Sequence, residues 1–270
     1  MLPPAGGPRP GFLPCNVRAA PLADPGARGE GARPSATMEE MCARFQFAAP
    51  EDWVDAFGLD EVPEVPARYN IAPTQDVLAV HADRGGRRKA RLFRWGLVPS
   101  WAEDPKAGDR LINARAESVA TRAAFRDSFR QRRCLVPAQG FYEWKRFGTL
   151  REPWLVRLKG GGTFAFGGVW DRWRAAGAEI QSCALITTAA NALVAPIHGR
   201  MPVLIDRAAY DLWLDPDAQD ADLRPLLAPF PSEAMEAFPV SPCVNRTDVD
   251  EPDLSRPVEP MADPGQMRLF

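Results

Sequence analysis

Cys42 follows Met41 directly, at the point where a stretch of Pro, Gly, Ala and Arg gives way to a mixed, globular-type sequence. If translation begins at Met41, removal of the methionine leaves Cys42 as the first residue, with a free α-amine and a thiol on one residue. Such a 1,2-aminothiol is a trap for aldehydes. An α-amine titrates near about 7.7 to 8.0, against about 10.4 for lysine, so much more of it is neutral and nucleophilic at pH 7. Residues 1–41 as written oppose this chemistry, because behind a leader Cys42 has only an amide nitrogen. They carry eight prolines and no apolar run long enough for a signal core or a membrane span. Three readings follow, a misassigned start with Met41 as the true start, a propeptide cut before Cys42, or a disordered extension, and the first is the expectation.

Two further residues have types suited to proton transfer. Glu143 lies in GFYEWK between Tyr142 and Trp144, where desolvation by aromatic neighbours would raise its pKa and suit it to shuttling protons. Strand alternation offers a plainer reading, in which Glu143 and Lys145 face solvent from an edge strand. His198, in PIHGRMPV, has Arg200 two positions on and Thr187, Thr188 and Asn191 before it. It is either a proton carrier or a satisfied structural histidine.

The segment RWGLVPSWAEDPKAGDRLINARAE, residues 94–117, interleaves Trp95 and Trp101 with arginines and ends in Asn113, Arg115 and Glu117 at alternate positions. On an extended chain those three point the same way. Aromatics among arginines suit single-stranded nucleic acid, where bases stack on rings while the backbone follows positive charge. The alternative is two core tryptophans beside a structural ion pair. Net charge is only -2, but residues 84–157 carry fifteen Arg and three Lys against seven acidic residues, whereas residues 206–263 carry fourteen acidic residues against four Arg. The basic half is the side expected to face a polyanion. Arg122, Arg126 and Arg130, spaced by four, would form a basic ridge on one helix, either a solvated face or a phosphate contact.

The elements that must position these groups read as many short, turn-bounded strands and few helices. Strand-like runs cover 77–81, 92–97, 134–137, 140–144, 154–158, 164–170, 183–188, 202–205 and 238–244. Helices are expected at 51–57, at 118–131 with Ser118 as N-cap and Phe125 and Phe129 on one face, at 207–214 and at 221–227. The fold class is α+β, a mostly antiparallel, barrel-like curled β core flanked by helices. Residues 42–247 form one catalytic domain, and 248–270 read as a flexible C-terminal tail. Five cysteines at wide spacing, without a CxxC pair, and only two histidines argue against a disulfide framework and a metal centre. A reducing, cytoplasmic setting follows, near the nucleoid if DNA is the partner, with no membrane attachment.

Six motifs in order carry a resemblance that none carries singly: MCARF (41–45), RYNIAPT (68–74), RWGLVPSW (94–101), NARAE (113–117), GFYEW (140–144) and HGRMP (198–202). The chain resembles the SRAP (SOS-response-associated peptidase) family from Cys42 to about Val244. The resemblance implies a sensor of abasic sites in single-stranded DNA that needs no metal or organic cofactor. Cys42 would attack the ring-opened sugar aldehyde through its amine and close a thiazolidine through its thiol. Glu143 would move protons, His198 would assist at the sugar oxygen and Asn113 would orient the sugar. Arg44, Arg68, Asn70, Arg115, Thr187 and Arg200 would hold phosphates and sugar, with Trp101 as a stacking platform. The family pattern usually has Gly where this chain has Ala43, and an acidic residue where it has Gly199. β-Elimination of the Schiff base, a lyase reaction, could compete with ring closure. Two other classes stay open: a cysteine peptidase, acting on its own leader, with Cys42 as nucleophile and His198 or Glu143 as base, and a noncovalent single-strand-binding module. The terminal QMRLF resembles the peptide by which bacterial repair proteins grip the sliding clamp. Gln266 would be the polar anchor there, and Leu269 and Phe270 the apolar plug.

Overall fold

Strands with one apolar face need cover, and here the cover is mutual: a barrel and a second sheet press their apolar faces together. The computed structural model describes residues 42–83, 85–175 and 177–261. The strands are β1 (Phe45–Phe47), β2 (Arg68–Ile71), β3 (Asp76–Ala82), β4 (Arg88–Trp95), β5 (Asn113–Arg115), β6 (Arg133–Ala138), β7 (Gly140–Phe147), β8 (Leu150–Leu158), β9 (Phe164–Ala175), β10 (Ala178–Ala189), β11 (Arg200–Pro202), β12 (Leu204–Ile205) and β13 (Met235–Pro239). Among the described residues four short α-helices accompany them: α1 (Trp53–Phe57), α2 (Arg126–Gln131), α3 (Tyr210–Leu214) and α4 (Asp220–Leu223).

Five strands close on themselves. β10 pairs with β4, β4 with β3, β3 with β6, β6 with β9, and β9 again with β10. Only the β4–β10 seam is parallel; the rest of the ring is antiparallel, and closure leaves the ring without a free edge. β10 outruns the ring. Its last residues take β5 on one side, in parallel, and β11 on the other. The second sheet runs β13-β8-β7-β1-β2, antiparallel throughout. Phe45 of β1 meets Trp95 of β4 and Phe166 of β9 edge-on, with ring centroids 5.3 and 5.4 Å apart. Phe141, opposite Phe45 on β7, reaches Phe166 at 6.2 Å. This aromatic seam joins the sheets by removing large apolar area from water and by favourable edge-to-face geometry.

The α+β class and the barrel-like β core agree with the sequence reading, but several elements differ. β1, β2 and β5 lie outside the expected runs, because three- and four-residue strands carry too little periodicity to be read. The run at 238–244 breaks after Pro239: Pro242–Asn245 form a 3-10 turn, since Pro242 lacks the N–H a strand needs. The helix expected at 118–131 is α2 alone. Before it the chain makes separate turns, with the Ser118 carbonyl accepting from Thr121 N at 3.1 Å and Arg122 N at 2.8 Å. Val119, Phe125 and Phe129 are all buried, so packing bends the chain where propensity would have continued it. The three-arginine ridge is therefore not one helix face, because Arg122 precedes α2.

Arg133 shows how the helices are fastened. It is buried, and its guanidinium donates to the carbonyls of Trp213 (2.7 Å), Phe129 (2.6 Å), Arg130 (2.7 Å) and Asp215, capping the ends of α2 and α3. The acid-rich segment 248–261, expected within a flexible tail, packs on the domain instead. Leu254 is buried, Val258 N donates to the Pro239 carbonyl at 2.9 Å, and Asp250 receives Arg68 and the Tyr69 amide.

Candidate active site

Period two on β7 sends Phe141 and Glu143 toward the barrel and Tyr142 to the opposite face. β7 is internal to its sheet, flanked by β8 and β1, so the solvent-facing reading of Glu143 fails: the residue is only 3% exposed. On the far face the Tyr142 hydroxyl lies 2.8 Å from the Tyr69 carbonyl and 3.0 Å from Gln46 Oε1, tying β7 to β2 and β1. Cys42 sits three residues before β1, and His198 closes the loop between β10 and β11. That loop is held by Asn191, whose Oδ1 accepts from Leu193 N (3.1 Å) and Val194 N (3.0 Å).

These segments bring together one donor atom each from Cys42, Glu143 and His198, all within 4.8 Å of one another. His198 Nδ1 is 3.5 Å from Glu143 Oε2 and 3.0 Å from the Arg200 carbonyl. It is also 3.3 Å from the Arg200 amide, so the ring is bonded in either tautomer. The thiol lies 3.8 Å from the Arg200 carbonyl. Burial pushes the Glu143 carboxyl up to about 7, against the opposing pull of His198 and of a hydrogen bond from Cys42. Burial, then the negative charge of Glu143, holds the Cys42 thiol well above its ordinary value. Glu143 Oε1 is buried with no hydrogen-bond partner, and so is Asn113 Oδ1. Unmet acceptors in a polar pocket are costly unless a ligand or water completes them.

Asn113 donates its Nδ2 to the Cys42 carbonyl at 2.9 Å, and its place is fixed by the β5–β10 register, opposite Leu185. Asn113, Arg115 and Glu117 do not form one extended face, since β5 ends at Arg115. Asn113 is buried and Arg115 exposed, while Glu117, in the following turn, accepts both guanidinium arms of Arg200 at 2.6 and 3.0 Å. Arg200 also donates to the Thr187 carbonyl at 2.7 Å and to Thr187 Oγ1 at 3.3 Å. Its charge-assisted bonds hold Glu117 below the usual carboxylate range.

Arg44, Arg68 and Asn70 form a different group. Asn70 is fully buried; its Oδ1 accepts from Arg44 (2.8 Å), and its Nδ2 donates to the carbonyls of Arg246 (2.8 Å) and Val249 (2.6 Å). Arg44 also donates to the Val244 carbonyl at 2.7 Å, and Arg68 pairs with Asp250. Direct phosphate contact does not suit a buried Asn70. Its work here is to hold residues 244–250, to which Arg44 and Arg68 add their own bonds. Trp101 stands apart, 63% exposed on the loop after β4 that is tied down by Ser100 N to Asp171 and Trp173 Nε1 to the Ala102 carbonyl. Trp95 is a core residue. Gln266, Leu269 and Phe270 lie outside the described residues, as do residues 1–41.

Residues 41–247 match the family model described as SOS response associated peptidase (SRAP). The chain belongs to the SRAP family. It is 39% identical over 221 residues to the abasic site processing protein YoqW of Bacillus subtilis, covering 79% of this chain and 98% of that one. It is 31% identical to the abasic site processing protein HMCES of Mus musculus, over 75% of this chain and 70% of the relative. A crystal structure of a Bacteroides thetaiotaomicron protein, 24% identical, shares the fold with a TM-score of 0.73, covering 81% of this chain and all of that one. The two departures from the SRAP pattern are sterically mild. A Cβ at Gly199 would meet nothing within 4 Å. Among described non-glycine residues only Ala49 and Thr74 take positive φ, so Ala43 has ordinary backbone.

Sequence reasoning did not anticipate the roles of Tyr142, Gln46, Asp250 and the 244–250 segment, whose partners lie up to about two hundred residues away and leave no local signal. The Glu117–Arg200 pair was half visible, since both residues fall inside the SRAP motifs. No described helix is long and apolar enough to cross a membrane.

Proposed function

We propose that this chain processes abasic sites in single-stranded DNA by forming a covalent thiazolidine through Cys42 as its first residue. The observation that supports this most directly is that the thiol of Cys42 shares one buried space, within 4.8 Å, with the Glu143 carboxyl and the His198 ring, where burial pushes the carboxyl up to about 7 and raises the thiol. The names of YoqW and HMCES point to the same lesion.

The amine adds to the aldehyde carbon of the opened sugar, and the resulting carbinolamine loses one water to give an imine. The thiol then adds to the imine carbon. A carbon–sulfur bond forms, the S–H proton leaves through Glu143, and the imine nitrogen gains a proton, so no electrons enter or leave overall. A group titrating near 7 can both take and return a proton at neutral pH. Asn113 fixes the Cys42 carbonyl and thereby the direction of its nitrogen, and His198 faces the same space as donor or acceptor for the sugar oxygen. Arg115, Arg200 and Trp101 are the proposed contacts to DNA, and β-elimination from the imine is the competing lyase step. A peptidase would want a resting thiolate, and the raised thiol disfavours that reading.

The test pairs an oligonucleotide bearing one abasic site with the chain started at Met41, resolved on a heated denaturing gel and by intact mass. The expected product is a heat-stable conjugate lighter than the sum of its parts by one water, absent with Cys42→Ser. An equal conjugate from protein that retains residues 1–41 would overturn the proposal, as would conjugation of undamaged DNA.

A further inference from the structure

A thiol, a carboxylate and an imidazole are also the side chains that bind zinc. In Cys42, Glu143 and His198 they point their donor atoms into one space within 4.8 Å. In a tetrahedral zinc site, metal–ligand bonds of about 2.0 to 2.3 Å place neighbouring donors about 3.3 to 3.6 Å apart. The edge between His198 Nδ1 and Glu143 Oε2 already measures 3.5 Å, the sulfur lies within 4.8 Å of both, and Nδ1 would exchange its Arg200 contact for the metal. An independent sign of a missing ligand is Glu143 Oε1, an acceptor buried on a residue 3% exposed and bonded to nothing.

The charges balance as well. A thiolate and a carboxylate cancel a divalent cation, the imidazole stays neutral, and the neighbouring cation Arg200 is turned onto Glu117 by its two short bonds. In a chain beginning at Cys42 the α-amine adds a fourth donor, which closes a five-membered chelate ring with its own sulfur.

We propose that a soft divalent cation, zinc foremost, binds Cys42, Glu143 and His198 and guards the aminothiol against aldehydes until it is withdrawn. Metal binding stands on the geometry alone, whereas the guarding role rests on the capture reaction proposed above. On binding, a metal–sulfur bond replaces the S–H bond, a metal–oxygen bond replaces the O–H bond of Glu143 in the molecules where that carboxyl is protonated, and the released protons pass to solvent; a chelator reverses the exchange without any change of oxidation state.

Cobalt(II) is the probe, added to the full chain and to the chain started at Met41. A thiolate-to-cobalt absorption band should grow to one equivalent and collapse when Zn(II) is added. It should vanish in Cys42→Ser, weaken at least tenfold in affinity in Glu143→Gln and survive in Cys243→Ser, which removes the half-buried cysteine outside the cluster. Circular dichroism of each variant separates loss of ligand from loss of fold, and if Cys42→Ser does not fold, the Glu143→Gln comparison carries the test. Absence of the band at one equivalent, its persistence in Cys42→Ser or unchanged affinity in Glu143→Gln overturns the metal site. Zinc at saturation should then slow capture of an abasic oligonucleotide at least tenfold, with EDTA restoring it; unslowed capture overturns the guarding role. The cobalt titration contains no DNA and the capture control contains no metal, so failure of one is distinct from failure of the other.

Discussion

Replacing Glu143 with glutamine separates the cost of burying a carboxylate from its use. The Glu143 carboxyl moves from 4.5 in its ordinary state to about 7 in the fold, mainly because burial disfavours the charge. Between those two pH values the folded protein holds a proton that the unfolded chain has released, so stability must fall as pH rises through this window. The displacement corresponds to about 3 kcal/mol in total. The glutamine side chain of Glu143→Gln would carry no such charge while nearly keeping the original shape. Urea unfolding of parent and Glu143→Gln should therefore give curves that diverge with pH: from pH 4.5 to pH 8 the variant gains about 3 kcal/mol relative to the parent. In the same variant, capture of abasic DNA at pH 7 should slow by about 10²-fold or more, the usual worth of a positioned acid–base group. Stability curves that run parallel across this range would refute the assignment of a buried, protonated Glu143, and an undiminished capture rate would refute its role as proton carrier.

Other perturbations probe the positioning groups. Asn113→Ala removes the 2.9 Å bond to the Cys42 carbonyl and should slow capture by about 10-fold or more with DNA affinity unchanged, measured by single-turnover conjugation beside fluorescence anisotropy. Gly108→Ala should destabilise by about 2 kcal/mol or more in urea unfolding, because a Cβ there would stand 2.5 Å from the Gly96 carbonyl and Gly96 already sits at φ +136°. Arg200→Lys cannot reproduce the paired bonds to Glu117, and conjugation should slow by about 10-fold while thermal stability changes little. Deleting residues 266–270 should abolish retention on immobilised sliding clamp and leave conjugation intact; unchanged retention ends the clamp reading.

Much of the candidate site was legible because motif order survives in the chain even when its spatial meaning does not. Cys42, Glu143 and His198 were each singled out by residue type and neighbours and Asn113 by the family resemblance, and the structure brings all four together. An amide's role depends on what it faces, and Asn70, read from sequence as a DNA contact, faces the carbonyls of Arg246 and Val249. Residues 248–261 looked like a tether because they are rich in proline and acid. They are fastened by scattered contacts, among them buried Leu254, the Asp250 carboxylate, the Ser255 hydroxyl on Gln46 and the Val258 amide, which form no periodic pattern.

Sequence alone determined the α+β class and the longer strands of the barrel, and it singled out the candidate side chains, because periodicity, residue type and motif order are local properties. Tertiary structure decided which face of β7 carries Glu143, that β7 is an inner strand, and that Glu117 holds Arg200. Those outcomes depend on pairings between segments far apart in the chain, and it is burial by distant strands that turns an ordinary carboxyl into one that exchanges protons near pH 7.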